Sequence, residues 1–410
     1  MYYLFIIGLK NVLRYKRRTI LTSLVLSFGI MIFIFMAGML KGFDNKSFEN
    51  QIQFETGDFK IRSGVYDEDS PLDISNFLTN YREAEKILET KPYIKSFTER
   101  MGFTADLDNG KSSTPITVIA INPDRENSVF ITSNFIVKGG LEKDGAILGQ
   151  SLAKDMNVTI GDQVYVTFRN AQGTYDSVEL NATGIINAPD PQVNNSSIYM
   201  NISDAQHYLN TDRVTEIVLK TADYRDFKKY EPDLVKSLQG KGMKVYDWEK
   251  LGQDFIAIGQ AKSKTVGFLL FFIAIIAVIG IINTMLMSVF EKKREIGTMK
   301  ALGMTDGDIR TIFVWEGLLI GIIGNIVGIA AGILLNLYFT VYGINITAML
   351  GGNSDIDVGY KVMGVVKSGW DMGAVARAVL VSIFVSVAAS YYPASKTTRL
   401  QPAECLRTIQ

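Results

Sequence analysis

The sequence predicts an α-helical membrane protein of four spans, with a large α+β domain inserted between spans one and two. Three observations carry this. Four long apolar runs are almost free of charge. The 410-residue chain is 47% hydrophobic, which points towards a membrane. The insertion, Gly42 to Lys264, is roughly 220 residues of mixed pattern and large enough for its own core.

Met1 to Arg18 is basic and amphipathic and reads as a cytoplasmic helix over 1–19. The run Ile20 to Leu40 is ~21 residues, enough to cross a ~30 Å hydrocarbon core and longer than a signal-peptide core of about 7–15. No small-residue cleavage site follows, so it is expected to remain as an anchor over 20–41. Val266 to Phe290 places span two at 265–290, and Phe313 to Tyr342 places span three at 312–342, with Glu316 near its start. Glu316 is expected to reach the interface or pair with a basic loop residue. Val375 to Tyr392 is span four, with Arg377 placed to extend its charge to the headgroups.

Four spans put both termini on one side, and Lys and Arg choose which. Lys10, Arg14, Lys16, Arg17 and Arg18 precede span one. Lys292, Lys293, Arg294, Lys300 and Arg310 lie between spans two and three, and Lys396, Arg399 and Arg407 follow span four. The loop 343–374 sets only Lys361 and Lys367 against Asp355, Asp357 and Asp371. The termini, the segment 291–311 and the tail 393–410 are therefore expected inside, and 42–264 outside.

Within the insertion, DFKIRSG, SFTERMGFTADLD and TPITVIAIN alternate as strands, and Ser75 to Glu89 reads as a helix. Val214 to Lys220, Asp226 to Leu238 and Met243 to Tyr246 form a strand–helix–strand unit. AILGQSLAKDMNVTIGDQVYVTF reads as strand, short helix and strand. Phe43, Phe48, Phe255 and Ile258 fall on helical faces at the two ends of the insertion. They are read as stalk residues, which either pack the stalks or offer an apolar cargo a contact.

The chemistry-bearing patterns are few. His207 and Cys405 are each the sole residue of their type, so no metal cluster or Cys–His pair is proposed. The formal charge of zero gives no electrostatic case for nucleic acid. No G-x-x-x-x-G-K-[ST], H-E-x-x-H or G-x-S-x-G occurs, so a bound nucleotide and a hydrolase site are both unsupported. Span three carries Gly317, Gly321, Gly324, Gly328 and Gly332, mostly four apart. This spacing lets another helix approach closely, within the subunit or from a second one.

The segment Glu291 to Ile309, EKKREIGTMKALGMTDGDI, reads as a short charged helix ending at Gly303. Thr305 and Asp308 then make a capping box opening span three. The helix is expected to lie outside any buried core. Its Arg294, Glu295, Gly297, Lys300, Ala301, Leu302 and Gly303 resemble the cytoplasmic loop of FtsX-type ABC permeases, the family of the MacB and LolC/LolE proteins. YYPASKTTRLQPAECLR and the first apolar segment share the resemblance. It implies a dimer of permease subunits, homo- or heteromeric, in the bacterial inner membrane. ATP and magnesium would be held by a separate pair of ABC ATPase subunits, with Glu291, Lys292 and the residues just named touching that ATPase. It also implies strand–helix porter and β-rich parts of the outer domain, the latter around residues 130–210.

The expected function is transmission of ATP-driven motion to the outer domain, with no chemistry in this chain. Release of lipoproteins from the inner membrane is the favoured task, and MacB-type efflux of antibiotics, peptides or toxins the alternative. A membrane-anchored sensor or scaffold is the reading from another class. The short hairpin Phe168 to Ser177 lacks the arm by which lipoprotein-releasing subunits recruit a periplasmic chaperone, so a periplasmic partner is left open.

Overall fold

The computed structural model describes residues 2–66, 76–169, 174–349 and 361–397. Ser75, the hairpin tip 170–173, Asp355, Asp357 and the tail with Arg399, Cys405 and Arg407 lie outside them. So does the side chain of Phe255.

In chain order the helices are α1 (Tyr2–Arg14), α2 (Lys16–Gln51), α3 (Tyr81–Glu89), α4 (Pro123–Val129), α5 (Gln150–Asp155), α6 (Pro191–Ser196), α7 (Ile202–Tyr208), α8 (Phe227–Leu238), α9 (Trp248–Leu251), α10 (Gln253–Glu291), α11 (Lys293–Ala301), α12 (Asp306–Tyr342), α13 (Ile346–Met349) and α14 (Met372–Thr397). The strands of the large sheet are β1 (Phe59–Ser63), β2 (Ile94–Asp108), β3 (Ser113–Ile121), β4 (Ile136–Gly139), β5 (Gly145–Gly149), β6 (Gln163–Arg169), β7 (Tyr175–Ile186), β8 (Ser197–Asn201), β9 (Glu216–Thr221) and β10 (Met243–Asp247), and Ile344–Asn345 pairs with Val365–Val366 in a separate two-stranded sheet. The helix expected from Ser75 begins only at Tyr81, because Leu78 bridges to Val214 and Asn80 precedes the first turn.

The chain divides into two compact units. The membrane unit holds 1–43, 258–344 and 367–410, and the second unit holds 44–257 and 345–366. Among the described residues, four helices are long and apolar enough to cross a bilayer: Lys16–Thr56, Leu270–Glu291, Asp306–Tyr342 and Met372–Lys396. Inside the membrane unit Val12, Ile281, Met285, Ile309, Phe313, Ile320 and Val385 form one apolar core.

The glycines of α12 explain how its neighbours pack. An added Cβ at Gly317 or Gly321 would meet Ser390 or Ser386 of α14, the latter at 2.5 Å. At Gly324, Gly328 and Gly332 it would meet Leu26, Ile30 and Ile34 of α2 at 2.9–3.1 Å. One small-residue stripe therefore serves two neighbours of the same chain. Polar side chains finish the seam: Ser382 donates to Asn325 Oδ1 at 2.8 Å, and Ser27 donates to the Gly324 carbonyl at 3.0 Å. Such hydrogen bonds and close backbone approach replace the hydrophobic drive that a lipid solvent cannot supply.

The second unit is one ten-stranded sheet in the order β10-β1-β9-β2-β3-β8-β5-β7-β4, with β6 pairing β2 and β7. The two parts separated in the sequence are thus joined, chiefly where β3 runs parallel to β8. Alternation along the strands divides the sheet into two faces. Ile61, Met101, Val118, Ile198 and Ile217 enter the main core, covered by Leu88 of α3 and Leu234 of α8. Tyr199, Ile121 and Ile147 enter a smaller cluster with Phe54. Residues 345–366 belong to this unit. In their described part Lys361 pairs with Glu55 and Asp190 at 2.8 Å each, while Asn50 donates to the Lys361 carbonyl at 2.6 Å.

On the main core face, Arg125 sits between Glu85 of α3 and Glu99 of β2, at 3.0 and 2.5 Å. Burial, and then the neighbouring Glu99, push the Glu85 carboxyl up to about 7 from 4.5. The folded unit therefore holds a proton that the unfolded chain has released, so stability falls as pH rises from about 4.5 to about 7. Protection factors of the α3 and β2 amides in the full chain, which take out the intrinsic rise of exchange with pH, are expected to fall across that window. Glu85→Gln should flatten the dependence, and an unchanged profile in the variant would remove Glu85 as its cause.

Candidate functional site

Helix α11 is short because both of its ends are fixed. Lys292 breaks from α10, and its backbone (φ −94°) turns the chain into α11. The sequence reading started this helix at Glu291, but Glu291 closes α10 instead. At the far end Gly303 takes φ 94°. Its N–H bonds the Lys300 carbonyl at 3.0 Å, and the Met304 N–H bonds the Met299 carbonyl at 3.1 Å. This is a Schellman closure, which wants glycine at that position. Two residues on, Thr305 Oγ1 accepts from the Asp308 N–H at 3.2 Å, and Asp308 accepts from the Thr305 N–H at 3.0 Å. The capping box thus opens α12.

One side of α11 is buried, contrary to the expectation of a helix outside the core. Ile296 is fully buried in the membrane-unit core beside Ile309, and Gly297 is buried too. Packing of an apolar stripe against α12 is the reason; the helix has only 9 residues and could not persist alone.

Charge holds the same corner. Glu316 is fully buried in α12 and accepts from three residues outside that helix. Arg18 at the start of α2 pairs with one oxygen; Lys292 donates to the other at 3.0 Å, and Asn11 of α1 reaches it at 3.5 Å. The Lys292 ammonium also lies 4.9 Å from the Tyr15 ring centre and 5.7 Å from that of Phe313, a favourable place for a desolvated cation. Around this core, Arg14 pairs with Glu295 at 3.1 Å and Arg18 approaches Glu291 at 3.8 Å. Three cations and three carboxylates balance. Helix α1 closes the corner from its other side, with Phe5 edge-on to Trp315 at 5.2 Å and Gly8 against the Trp315 Cβ.

The exposed side of α11 carries Lys293, Arg294, Thr298 and Ala301. Leu302 is 82% exposed at its tip. Lys300 pairs with Asp306 at 2.8 Å. Sequence reasoning therefore mixed two groups: Lys292, Glu295, Gly297 and Glu291 face the brace, whereas Arg294, Ala301 and Leu302 face outward. It missed Asn11, Arg14 and Arg18 as members. The signal was present, since a lone carboxylate inside a span requires cations, and Arg18 is the last one before span one.

Phe43 and Ile258 belong to the membrane unit, where Ile258 is exposed. Phe48 belongs to the second unit, 6.1 Å from the Trp248 ring. Among the described residues no group of His, Cys, Asp and Glu could hold a metal ion.

Residues 267–402 match the family model of the FtsX-like permease C-terminal, and residues 19–236 match that of the MacB-like periplasmic core domain. The chain is 28% identical over 346 residues to the lipoprotein-releasing system transmembrane protein LolE of Haemophilus influenzae, covering 80% of each. It is 24% identical over 424 residues to LolC of Xylella fastidiosa, covering 98% of each. The macrolide export ATP-binding/permease protein MacB of Bdellovibrio bacteriovorus is 23% identical over 64% of this chain and 38% of its own. The periplasmic region of MacB from Actinobacillus actinomycetemcomitans matches with a TM-score of 0.34 at 16% identity, covering 50% of this chain and 96% of that one. With more than half of its length inside the MacB-like core model and its last third inside the FtsX-like one, this chain belongs to the FtsX-like, MacB-type family of ABC transporter permeases.

Proposed function

We propose that this chain is a non-catalytic permease subunit of the bacterial inner membrane, which turns the ATPase cycle of a separate ABC subunit into movement of its large outer domain. The observation that supports this best is the division of α11 into a braced side and an exposed side. A helix clasped at both ends and bonded through Glu316 to α1, α2 and α12 moves with those helices when its exposed side is pushed. Helices α2 and α10 each continue without a break well past their apolar stretches, so displacement along their axes is carried outward. Two such subunits would work with two ATPases, and ATP and magnesium would be bound there. The distribution of Lys and Arg supports α11 and both termini lying inside.

The cargo is proposed to be a lipid-anchored protein released from the outer leaflet. Similarity to LolC and LolE over 80–98% of the chain supports it. Leu302→Asp tests the coupling and the cargo together. At 82% exposure the change should leave thermal stability within about 0.5 kcal/mol. The ATPase should no longer co-purify, and lipoproteins should accumulate in the inner membrane. Normal co-purification would exclude this tip as the ATPase contact. Normal lipoprotein sorting on depletion of the whole protein, with new sensitivity to an amphiphilic toxin, would transfer the case to efflux.

A further inference from the structure

Helix α2 opens with two cations that no protein group answers. Within five residues the chain sorts its charges by helical phase. Arg14 and Arg18, four apart, reach the carboxylates of the corner: Arg14 pairs with Glu295, and Arg18 with Glu316 and Glu291. Lys16 and Arg17, between them, are exposed and have no ion pair or side-chain hydrogen bond among the described residues. The chain has no Asp or Glu before Asp44. Between spans two and three, Glu291, Glu295 and Glu316 belong to the corner. Asp306 there pairs with Lys300 at 2.8 Å, and Asp308 accepts from the Thr305 N–H at 3.0 Å. Among the described residues, the counter-anion of Lys16 and Arg17 therefore comes from outside the chain.

The residues that follow on the same side identify the anion. Lys16, Ile20 and Leu24 succeed one another in steps of four, as do Arg17, Leu21 and Val25, and Phe28 continues both rows. All five apolar residues are exposed, Leu21 by 67% and Phe28 by 60%. The opposite side of the helix turns inward: Ser23, Leu26 and Ser27 are buried, with Ser27 bonded to the Gly324 carbonyl of α12.

From Ile20 to Phe28 the exposed stripe rises ~12 Å, most of the ~15 Å that one leaflet contributes to the hydrocarbon core. An apolar stripe left bare along a span faces acyl chains. Cations one helical turn ahead of it stand at the level of the headgroup phosphates, where long basic side chains extend to the interface. The same side of α2 continues directly into lipid, so the anion that fits both parts is an amphiphile rather than a soluble protein.

We propose that Lys16 and Arg17 form a headgroup site for an anionic phospholipid, which lays an acyl chain along Ile20, Leu21 and Leu24. The site stands whichever cargo the protein moves. The test uses the full chain with Cys405→Ser and Leu21→Cys, labelled at that cysteine with bimane and reconstituted in phosphatidylcholine vesicles. Quenching by a small share of acyl-brominated phosphatidylglycerol is compared with quenching by brominated phosphatidylcholine at equal mole fraction. A cation at an anionic headgroup is worth about fivefold, so phosphatidylglycerol should be enriched beside the label by roughly twentyfold. Lys16→Gln or Arg17→Gln alone should lower this about fivefold, the pair should remove it, and Lys16→Arg should keep it. Lys138→Gln with Lys143→Gln, the same charge change at exposed positions of the other unit, should leave it unchanged. In the parent, 1 M salt should weaken the preference severalfold, because the screening length falls to about 3 Å; this arm needs no substitution of either cation. Equal quenching by the two lipids in the parent overturns the proposal, as does a preference that survives both the paired variant and high salt. Loss of ATPase co-purification in the paired variant, with no lipid preference in the parent, would assign the two cations to the ATPase and also overturn it.

Discussion

Glu316→Gln is expected to cost the membrane unit about 3–5 kcal/mol, the effect of removing one member of a buried ion group. Two cations, Arg18 and Lys292, would lose their shared carboxylate in a place where Lys292 is 1% exposed. The loss is one of charge balance rather than shape, so Glu316→Gln combined with Lys292→Met should recover part of the stability. Thermal unfolding of the purified chain in detergent measures both. A single variant as stable as the parent would show that the group is solvated, and would remove the brace from the coupling argument. Because Glu316 ties α11 to α1 and α2, ATP-dependent transport should also fall in the paired variant, even where stability returns.

The second large effect is steric. Gly317→Leu places a side chain where Ser390 already stands, and Gly321→Leu meets Ser386 with a Cβ separation of 2.5 Å from its Oγ. Overpacking of this kind costs about 1–3 kcal/mol, and more where backbone must move. Since α12 and α14 share this seam with the Asn325–Ser382 bond, separation of the helices should also break that bond. Gly280→Leu in α10, where nothing lies within 4 Å of an added Cβ, is the control and should be tolerated. Equal melting temperatures for Gly317→Leu and Gly280→Leu would exclude the seam as a determinant of stability.

Much of this was legible in the sequence, because the physics involved is local. Apolar length specifies a span, a T-x-x-D ahead of an apolar run specifies a helix start, and Gly303 specifies a helix end. The strands of the outer domain follow from alternation, as β2 and β3 illustrate. What stayed hidden depends on residues far apart in the chain. Asn11 and Glu316 are separated by 305 positions, and Lys361 and Glu55 by 306. No periodicity marks such pairs. The burial of Ile296 was missed for a related reason, since a helix of 9 residues rich in charge reads as exposed until its neighbour is known. The glycine stripe was visible, but not its division between α2 and α14, which is set by the level each helix reaches along α12.

The balanced charge group around Glu316 also has a history in time. Arg18 and Glu316 lie 298 residues apart. At synthesis rates of about 5–20 residues per second, the cation leaves the ribosome roughly 15–60 s before its counter-ion. During that interval span one must rest with its arginine at the membrane surface, solvated by water and phosphate headgroups. Glu291 at the end of α10 is the first carboxylate to arrive, and span three then brings the buried Glu316. The charge group at the start of span one is thus completed only after most of the chain has been made.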